Sequence, residues 1–236
     1  MIQLPQLHPQ RTGLFPDPES ALAEPNGLLA WGGDLSADRL LAAYSQGVFP
    51  WFNEDEPILW WSPDPRCVFR TDEVHISRSL RKQLNKSNWR ITADTSFARV
   101  MRACAAPRNG QPGTWIGPDM IAAYEELHRR GHAHSVEVWD RGSLVGGIYG
   151  VAVGRLFCGE SMFSARTGGS KVALAGLCGL LHGWGFPFLD AQVTNDHLLS
   201  MGAVEIPRRP FIAQARRLAA MPGKVGSWIS EAIALP

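Results

Sequence analysis

The 236-residue chain is predicted to be α+β, with a small irregular unit over residues 1–64 and a larger one over 65–236. The larger unit reads as a mixed sheet covered by helices. Three features carry the prediction. Gly, Pro and aromatic residues crowd the first quarter; three successive segments alternate apolar and polar residues around tight turns; and beyond them helical and strand periodicities take turns.

In the first unit, Phe49-Pro50-Trp51-Phe52 and Trp60-Trp61-Ser62-Pro63-Asp64-Pro65 pack aromatics between turn formers, which rules out a long helix. Before them, Ser36 can cap a helix running to about Gln46, with Leu40, Leu41 and Tyr44 on one face and Gly47 placed to end it. Trp31, Trp51, Trp60 and Trp61 read first as core fillers, since large aromatics dominate burial.

In the second unit, His75 to Lys86 sets Ile76, Leu80 and Leu84 on one helical face, and Arg78, Lys82 and Lys86 on another. Asp119 to Arg130 reads as a helix bounded by Pro118 and Gly131. His134–Asp140, Leu144–Val153 and Leu156–Phe163, joined at Arg141-Gly142 and Gly154-Arg155, form an antiparallel meander. A helix from Ser170 to about His182, a strand Phe186–Val193, a helix Asn195–Met201 and a last helix near Phe211–Ala220 complete the order. That order resembles the GCN5-related N-acetyltransferase fold, in which a central meander feeds a helix and a further strand.

Composition narrows the function. Hydrophobic residues at 45% and charged residues at 19% exclude a disordered chain. Lys and Arg (23) barely exceed Asp and Glu (22), so a nucleic-acid partner must meet a local patch. The longest nearly apolar run, Val172–Leu181, is half the ~20 residues that cross a bilayer. No membrane partner is expected. Pro5, Pro9 and Pro16, with no apolar stretch between them, fit no secretory signal, so a cytoplasmic location is expected. The four cysteines form no C-x-x-C pair and read as reduced thiols.

Three constellations could carry chemistry. From Val74 to Ala93 there are five basic residues (Arg78, Arg81, Lys82, Lys86, Arg90) and no acid, which could bind phosphates or form a solvated face. In Phe157–Phe163, strand alternation sets Cys158, Glu160 and Met162 on one face, where a carboxylate needs water, a cation or a donor. Asp190 and Gln192, two apart on a strand, project to one side, where acid and amide together could orient an amine or merely fix a loop. Other patterns fail. Thr167-Gly168-Gly169-Ser170-Lys171 lacks the phosphate-loop spacing, Arg166-x-Gly168-Gly169 lacks that of coenzyme A users, and His132 and His134 have no third metal ligand near them.

Several motifs now stand in order. They are Glu24-Pro25-Asn26-Gly27, Gly32-Gly33-Asp34-Leu35, Gly47-Val48-Phe49-Pro50-Trp51, Trp60-Trp61-Ser62-Pro63-Asp64-Pro65, His75-Ile76-Ser77-Arg78-Ser79, Gly113-Thr114-Trp115-Ile116, Gly131-His132-Ala133-His134-Ser135, Phe157 to Phe163, and Glu205-Ile206-Pro207-Arg208-Arg209. Together they closely resemble the leucyl/phenylalanyl-tRNA–protein transferase family. The resemblance implies an enzyme that moves Leu or Phe, and Met less well, from aminoacyl-tRNA to the N-terminal Arg or Lys of acceptor proteins, marking them for N-degron (N-end rule) proteolysis.

It places functional positions on Trp51, Trp115, Glu160, Asp190 and Gln192. The aminoacyl side-chain pocket falls on Ile148, Phe157, Met162, Leu174, Leu177 and Leu189, where Ile148 and Leu177 depart from the larger Met and Phe of the family pattern. Asp190 is expected to hold or deprotonate the acceptor amine. Gln192 would orient that amine or the ester carbonyl, and Glu160 the terminal ribose or the acceptor's positive end. Trp51 and Trp115 would shape the adenosine end, while Arg78, Arg81, Lys82 and Lys86 steady the acceptor stem. The ester is already activated, so no cofactor, ATP or metal is implied, nor DNA, and a monomer is expected. Two rivals remain at this point: an acetyl-coenzyme A N-acetyltransferase, and a catalytically silent adaptor for tRNA or basic N-termini.

Overall fold

A computed structural model describes residues 4–107 and 115–234. The Gly113-Thr114 pair quoted above lies outside them.

The first quarter is less irregular than expected, because its short strands find one another. Strands β1 (Gln6–Leu7) and β2 (Leu28–Gly32) come first, then helix α1 (Ala37–Ser45), then β3 (Phe49–Pro50) and β4 (Leu59–Trp61). They form a four-stranded sheet in the order β1-β2-β4-β3. Gly47 takes a positive φ of 76° where α1 ends, a conformation only glycine adopts freely. Trp60 is wholly buried and its indole N–H donates to the Gly32 carbonyl at 2.9 Å, while Trp51 is 43% exposed. Core filling therefore describes Trp60 but not Trp51.

Beyond residue 65 come β5 (Arg66–Arg70), α2 (Arg78–Leu84), β6 (Trp89–Ala93), α3 (Phe97–Ala105) and α4 (Pro118–Arg129). The meander β7 (Ala133–Asp140), β8 (Ser143–Val153) and β9 (Leu156–Ser164) follows. Then come α5 (Gly169–Gly183), β10 (Phe188–Gln192), α6 (Asp196–Leu199), β11 (Val204–Ile206) and α7 (Arg208–Ala219). Seven strands pair in the order β11-β5-β10-β9-β8-β7-β6. Every pairing is antiparallel except that of β10 with β9. Helices cover both faces, which is why β7 is buried along both sides despite its alternating sequence.

Leu80 and Leu84 of α2 and the apolar side of α5 pack on one face of this sheet. Residues of α1, α3, α4 and α7 pack on the other, in one cluster with Leu29, Val48 and Trp60 of the first quarter. The start of α5 lies directly on β8: a Cβ at Gly146 would stand 2.3 Å from the Gly169 carbonyl carbon. Glycine at both positions lets backbone meet backbone.

Helix α2 is shorter than its periodicity suggests. The His75 N–H is drawn to the Met201 carbonyl at 2.9 Å, and the helix begins only after Ser77, whose hydroxyl accepts from the Leu80 N–H. Among the described residues no helix is long and apolar enough to cross a membrane.

Candidate active site

The parallel pair β9 and β10 stays in register for only two residues, Phe157 opposite Leu189 and Cys158 opposite Asp190. Past that point the strands part, and each carries an irregularity. On β9, Gly159 faces Gly150 and Ser161 faces Tyr149, leaving Glu160 as the extra residue of a bulge. On β10 the pairing with β5 skips Ala191, and Gln192 takes a left-handed φ of 64°. The bulges break the simple alternation read from sequence. Cys158 packs with the cluster that also holds Tyr124, while Met162 packs on the opposite face beside Ile148. Asp190 and Gln192 likewise do not share a side-by-side strand geometry.

In the opening lies a cleft of about 990 Å³ that Glu160 and Gln192 both line. The two are joined: Gln192 Nε2 donates to Glu160 Oε1 at 2.8 Å. The other carboxylate oxygen accepts from the Tyr124 hydroxyl at 2.7 Å, and Tyr124 is in close hydroxyl contact with Tyr44. Thus α1 and α4 both support the carboxylate of β9. Burial raises the Glu160 pKa to about 7; the hydrogen bonds from Tyr124, Tyr44 and Gln192 pull the other way, and the nearby Asp190 charge adds to the rise. Near neutral pH this group is therefore divided between its acid and its base.

Asp190 sits elsewhere than expected. It is wholly buried, does not line the cleft, and accepts two parallel hydrogen bonds from Arg66, at 2.8 Å from Nε and 2.7 Å from Nη2. Arg66 also donates to the Gly47 carbonyl at 3.0 Å, and its guanidinium carbon lies 4.8 Å from the Phe49 ring centroid and 4.5 Å from that of Phe211. Asp190 Oδ1 also accepts from the Gln192 backbone N–H at 2.9 Å, and the Cys158 thiol lies within hydrogen-bonding reach of the carboxylate. The carboxylate thus fixes the bend that presents Gln192, and it meets the cleft only through that residue.

The expected apolar pocket divides in the same way. Ile148, Met162, Leu174 and Leu189 line the cleft, whereas Phe157 and Leu177 are enclosed behind it. Trp51 and Trp115 both line it. Arg78, Arg81 and Lys82 are exposed on α2 and Lys86 just past its end, all outside the cleft, and Leu80 of the helix packs at Gly168 where α5 begins. Ser170 and Leu174 of α5 line the cleft, so the basic ridge approaches it from that end.

Sequence reasoning did not single out Arg66, Tyr124 or Tyr149 for the site, and took Tyr44 as part of an apolar helix face. One signal was available. The chain has three tyrosines, all three are buried, and all three stand near Glu160. The two histidines weighed as ligands go elsewhere: His134 is buried, stacks on Trp228 and bonds Asp94 at 2.9 Å, and His132 lies by the Ala152 carbonyl. Among the described residues no group of three His, Cys, Asp or Glu is arranged to hold a metal ion.

Comparison with known proteins decides the family. The family model for leucyl/phenylalanyl-tRNA protein transferase matches residues 68–216, and that for its N-terminal domain matches residues 33–64. The chain belongs to this family. A leucyl/phenylalanyl-tRNA–protein transferase from Xanthomonas euvesicatoria pv. vesicatoria (strain 85-10) is 60% identical over 215 residues, which is 91% of this chain and 86% of that protein. One from Xylella fastidiosa (strain M12) is 60% identical over 205 residues, 86% of this chain and 84% of that protein. Among solved structures, L-PGS from Bacillus licheniformis is 10% identical, covers 63% of this chain and 48% of its own, and has a TM-score of 0.38. That likeness carries no argument. As a member of the leucyl/phenylalanyl-tRNA–protein transferase family, the chain is an aminoacyl-tRNA–protein transferase.

Proposed function

We propose that the chain transfers Leu or Phe, and Met less well, from aminoacyl-tRNA to proteins beginning with Arg or Lys, and that the products enter N-degron proteolysis. The observation that carries this reading is the Glu160–Gln192 bridge, which lines a cleft walled by Ile148, Met162, Leu174 and Leu189. An apolar side chain fits the wall, and an amine fits the bridge.

The chemistry asks for positioning above all. The acceptor's α-amine, with a reference pKa of ~7.7–8.0, is partly neutral near pH 7. Its nitrogen attacks the ester carbonyl carbon, the ester C–O bond breaks, and the ribose hydroxyl leaves with the proton that nitrogen gives up. Gln192 spends one amide hydrogen on Glu160, which leaves its carbonyl oxygen to accept from the incoming amine. Glu160, poised near neutrality, takes that proton from the nitrogen and passes it on to the leaving ribose oxygen. Asp190 serves as a positioning residue: through Arg66 and the Gln192 backbone it holds the amide in place. Trp51 and Trp115 would stack on the terminal adenosine, and the α2 ridge would neutralise acceptor-stem phosphates.

A cleft between loosely discriminating apolar walls suits both Leu and Phe, since one methylene is worth only ~1–3 kcal/mol. The meander, the helix that follows it and the splayed parallel strand support an N-acetyltransferase-like architecture for residues 65–236, with residues 1–64 as a smaller domain. A cytoplasmic monomer is part of the same reading.

The test is transfer of labelled leucine from Leu-tRNA to a peptide beginning with Arg, beside one beginning with Ala. Label on the first and not the second is expected. Label left on the tRNA with both peptides would overturn the reading.

A further inference from the structure

The basic ridge of α2 occupies one face of the sheet; the opposite face carries a second group of cations that the proposed function leaves unused. Arg90 on β6 and Arg99 on α3 both lie over the ring of Trp139, with guanidinium carbons 5.9 Å and 5.1 Å from its centroid. Arg102 follows Arg99 by three residues on the same face of α3. All three arginines are exposed. The next residues of α3, Ala103 and Cys104, line the cleft. Charge therefore runs from the lip of the cleft along α3 and out to the sheet edge.

Carboxylates that would neutralise this row are committed elsewhere. Between Lys86 and Pro107 the one acid is Asp94, which is buried and holds His134 with the backbone N–H groups of Ser135 and Trp228. Glu137, on the neighbouring strand, is buried and accepts from the hydroxyls of Thr92, Thr95 and Ser135. Asp140, at the end of β7, pairs with Arg166. Among the described residues, Arg90, Arg99 and Arg102 have no ion-pair partner.

Trp139 contributes more than bulk. It is almost fully buried and its indole N–H is fixed by the Thr92 hydroxyl at 2.8 Å, so the ring is a fixed platform over which both guanidinium groups lie. Such stacking offsets part of their mutual repulsion. An anion would supply the rest, and planar guanidinium groups match phosphate oxygens well.

We propose that Arg90, Arg99 and Arg102, presented on Trp139, form a second phosphate track for the backbone of the tRNA whose 3′ end enters the cleft. This rests on the aminoacyl-tRNA reading of that cleft. β6 is the terminal strand of the sheet, met on its outer side by an isolated bridge from Ile91 to Ile233. The α2 ridge and the Trp139 track lie on either side of it. A duplex placed against this edge meets cations on both faces of the sheet.

The experiment compares two donors, Leu-tRNA and the leucyl ester of adenosine, which lacks any stem. In the R90E/R99E double variant, Leu-tRNA affinity is expected to fall at least about tenfold at low salt. The slope of log affinity against log salt should shrink by about two, close to one for each phosphate left without its arginine. Transfer from leucyl-adenosine to an Arg-led peptide should stay within about twofold of the parent, which also reports an intact cleft. If the double variant does not fold, R90Q/R99Q reads the same slope with a milder change. Unchanged tRNA affinity and slope in a folded variant would overturn the proposal, as would a raised KM for the acceptor protein at unchanged tRNA affinity. Failure of the parent to transfer from either donor would instead strike at the proposed function.

Discussion

Gln192 on β10 and Glu160 on β9 are hydrogen-bonded at 2.8 Å across the gap where two parallel strands part. Each stands at a bulge, and bulges re-aim side chains that regular pleating would bury or expose. The sheet's irregularity and the meeting of these two side chains therefore share one cause.

Tyr124→Phe removes a donor from Glu160 Oε2. Since that bond holds the Glu160 pKa down, its loss moves the group above its present value of about 7. The acidic limb of the rate–pH profile for leucine transfer should shift to higher pH. An unmoved limb would separate Glu160 ionisation from the reaction.

Stability should also follow Glu160. Its pKa is about 7 in the folded chain against a reference of 4.5, so the native state binds the proton more tightly. The resulting stabilisation is present below pH ~4.5 and is lost as pH rises through about 7, by at most about 3 kcal/mol. Glu160→Gln should flatten that fall when urea unfolding is followed from pH 5 to pH 8. A parallel pair of curves would contradict it.

Arg66 and Asp190 form a buried bidentate pair. Truncating Arg66 to Ala leaves a buried carboxylate without its cation, so unfolding free energy should drop by about 3–5 kcal/mol. Denaturant titration measures this, and a loss under about 1 kcal/mol would show that water or another group takes over.

Leu174 lines the cleft and Leu177 lies behind it. Leu174→Ala should enlarge the pocket and shift competition between Leu-tRNA and Phe-tRNA toward Phe by roughly tenfold. Leu177→Ala should mainly cost stability, about 2–5 kcal/mol, with a smaller change in preference. Competition assays on both variants distinguish a wall from its backing.

What could be read from the sequence was local. The meander was legible because Arg141 and Gly142 both adopt positive φ, the signature of a two-residue hairpin turn that the sequence itself advertises. Helix α4 was legible from Pro118 and Gly131. Features that depend on a distant partner were not. Glu160 becomes a bulge residue only once β8 is beside it, and Arg66 finds Asp190 across 124 positions. The Tyr44–Tyr124 contact spans 80 positions and joins a tyrosine read as part of an apolar helix face to one that the sequence reading did not single out. The same distance effect moved Asp190 from the cleft to its support.

At the centre of the proposed function, the Gln192 amide, whose backbone N–H bonds Asp190 and whose side chain bonds Glu160, would place the acceptor amine on the ester. This is tested most directly by the single-turnover rate of leucine transfer from Leu-tRNA to an Arg-led peptide in the parent and in Gln192→Ala, at saturating tRNA. A loss of about a hundredfold or more with unchanged tRNA affinity is expected. A rate within about threefold of the parent would contradict it.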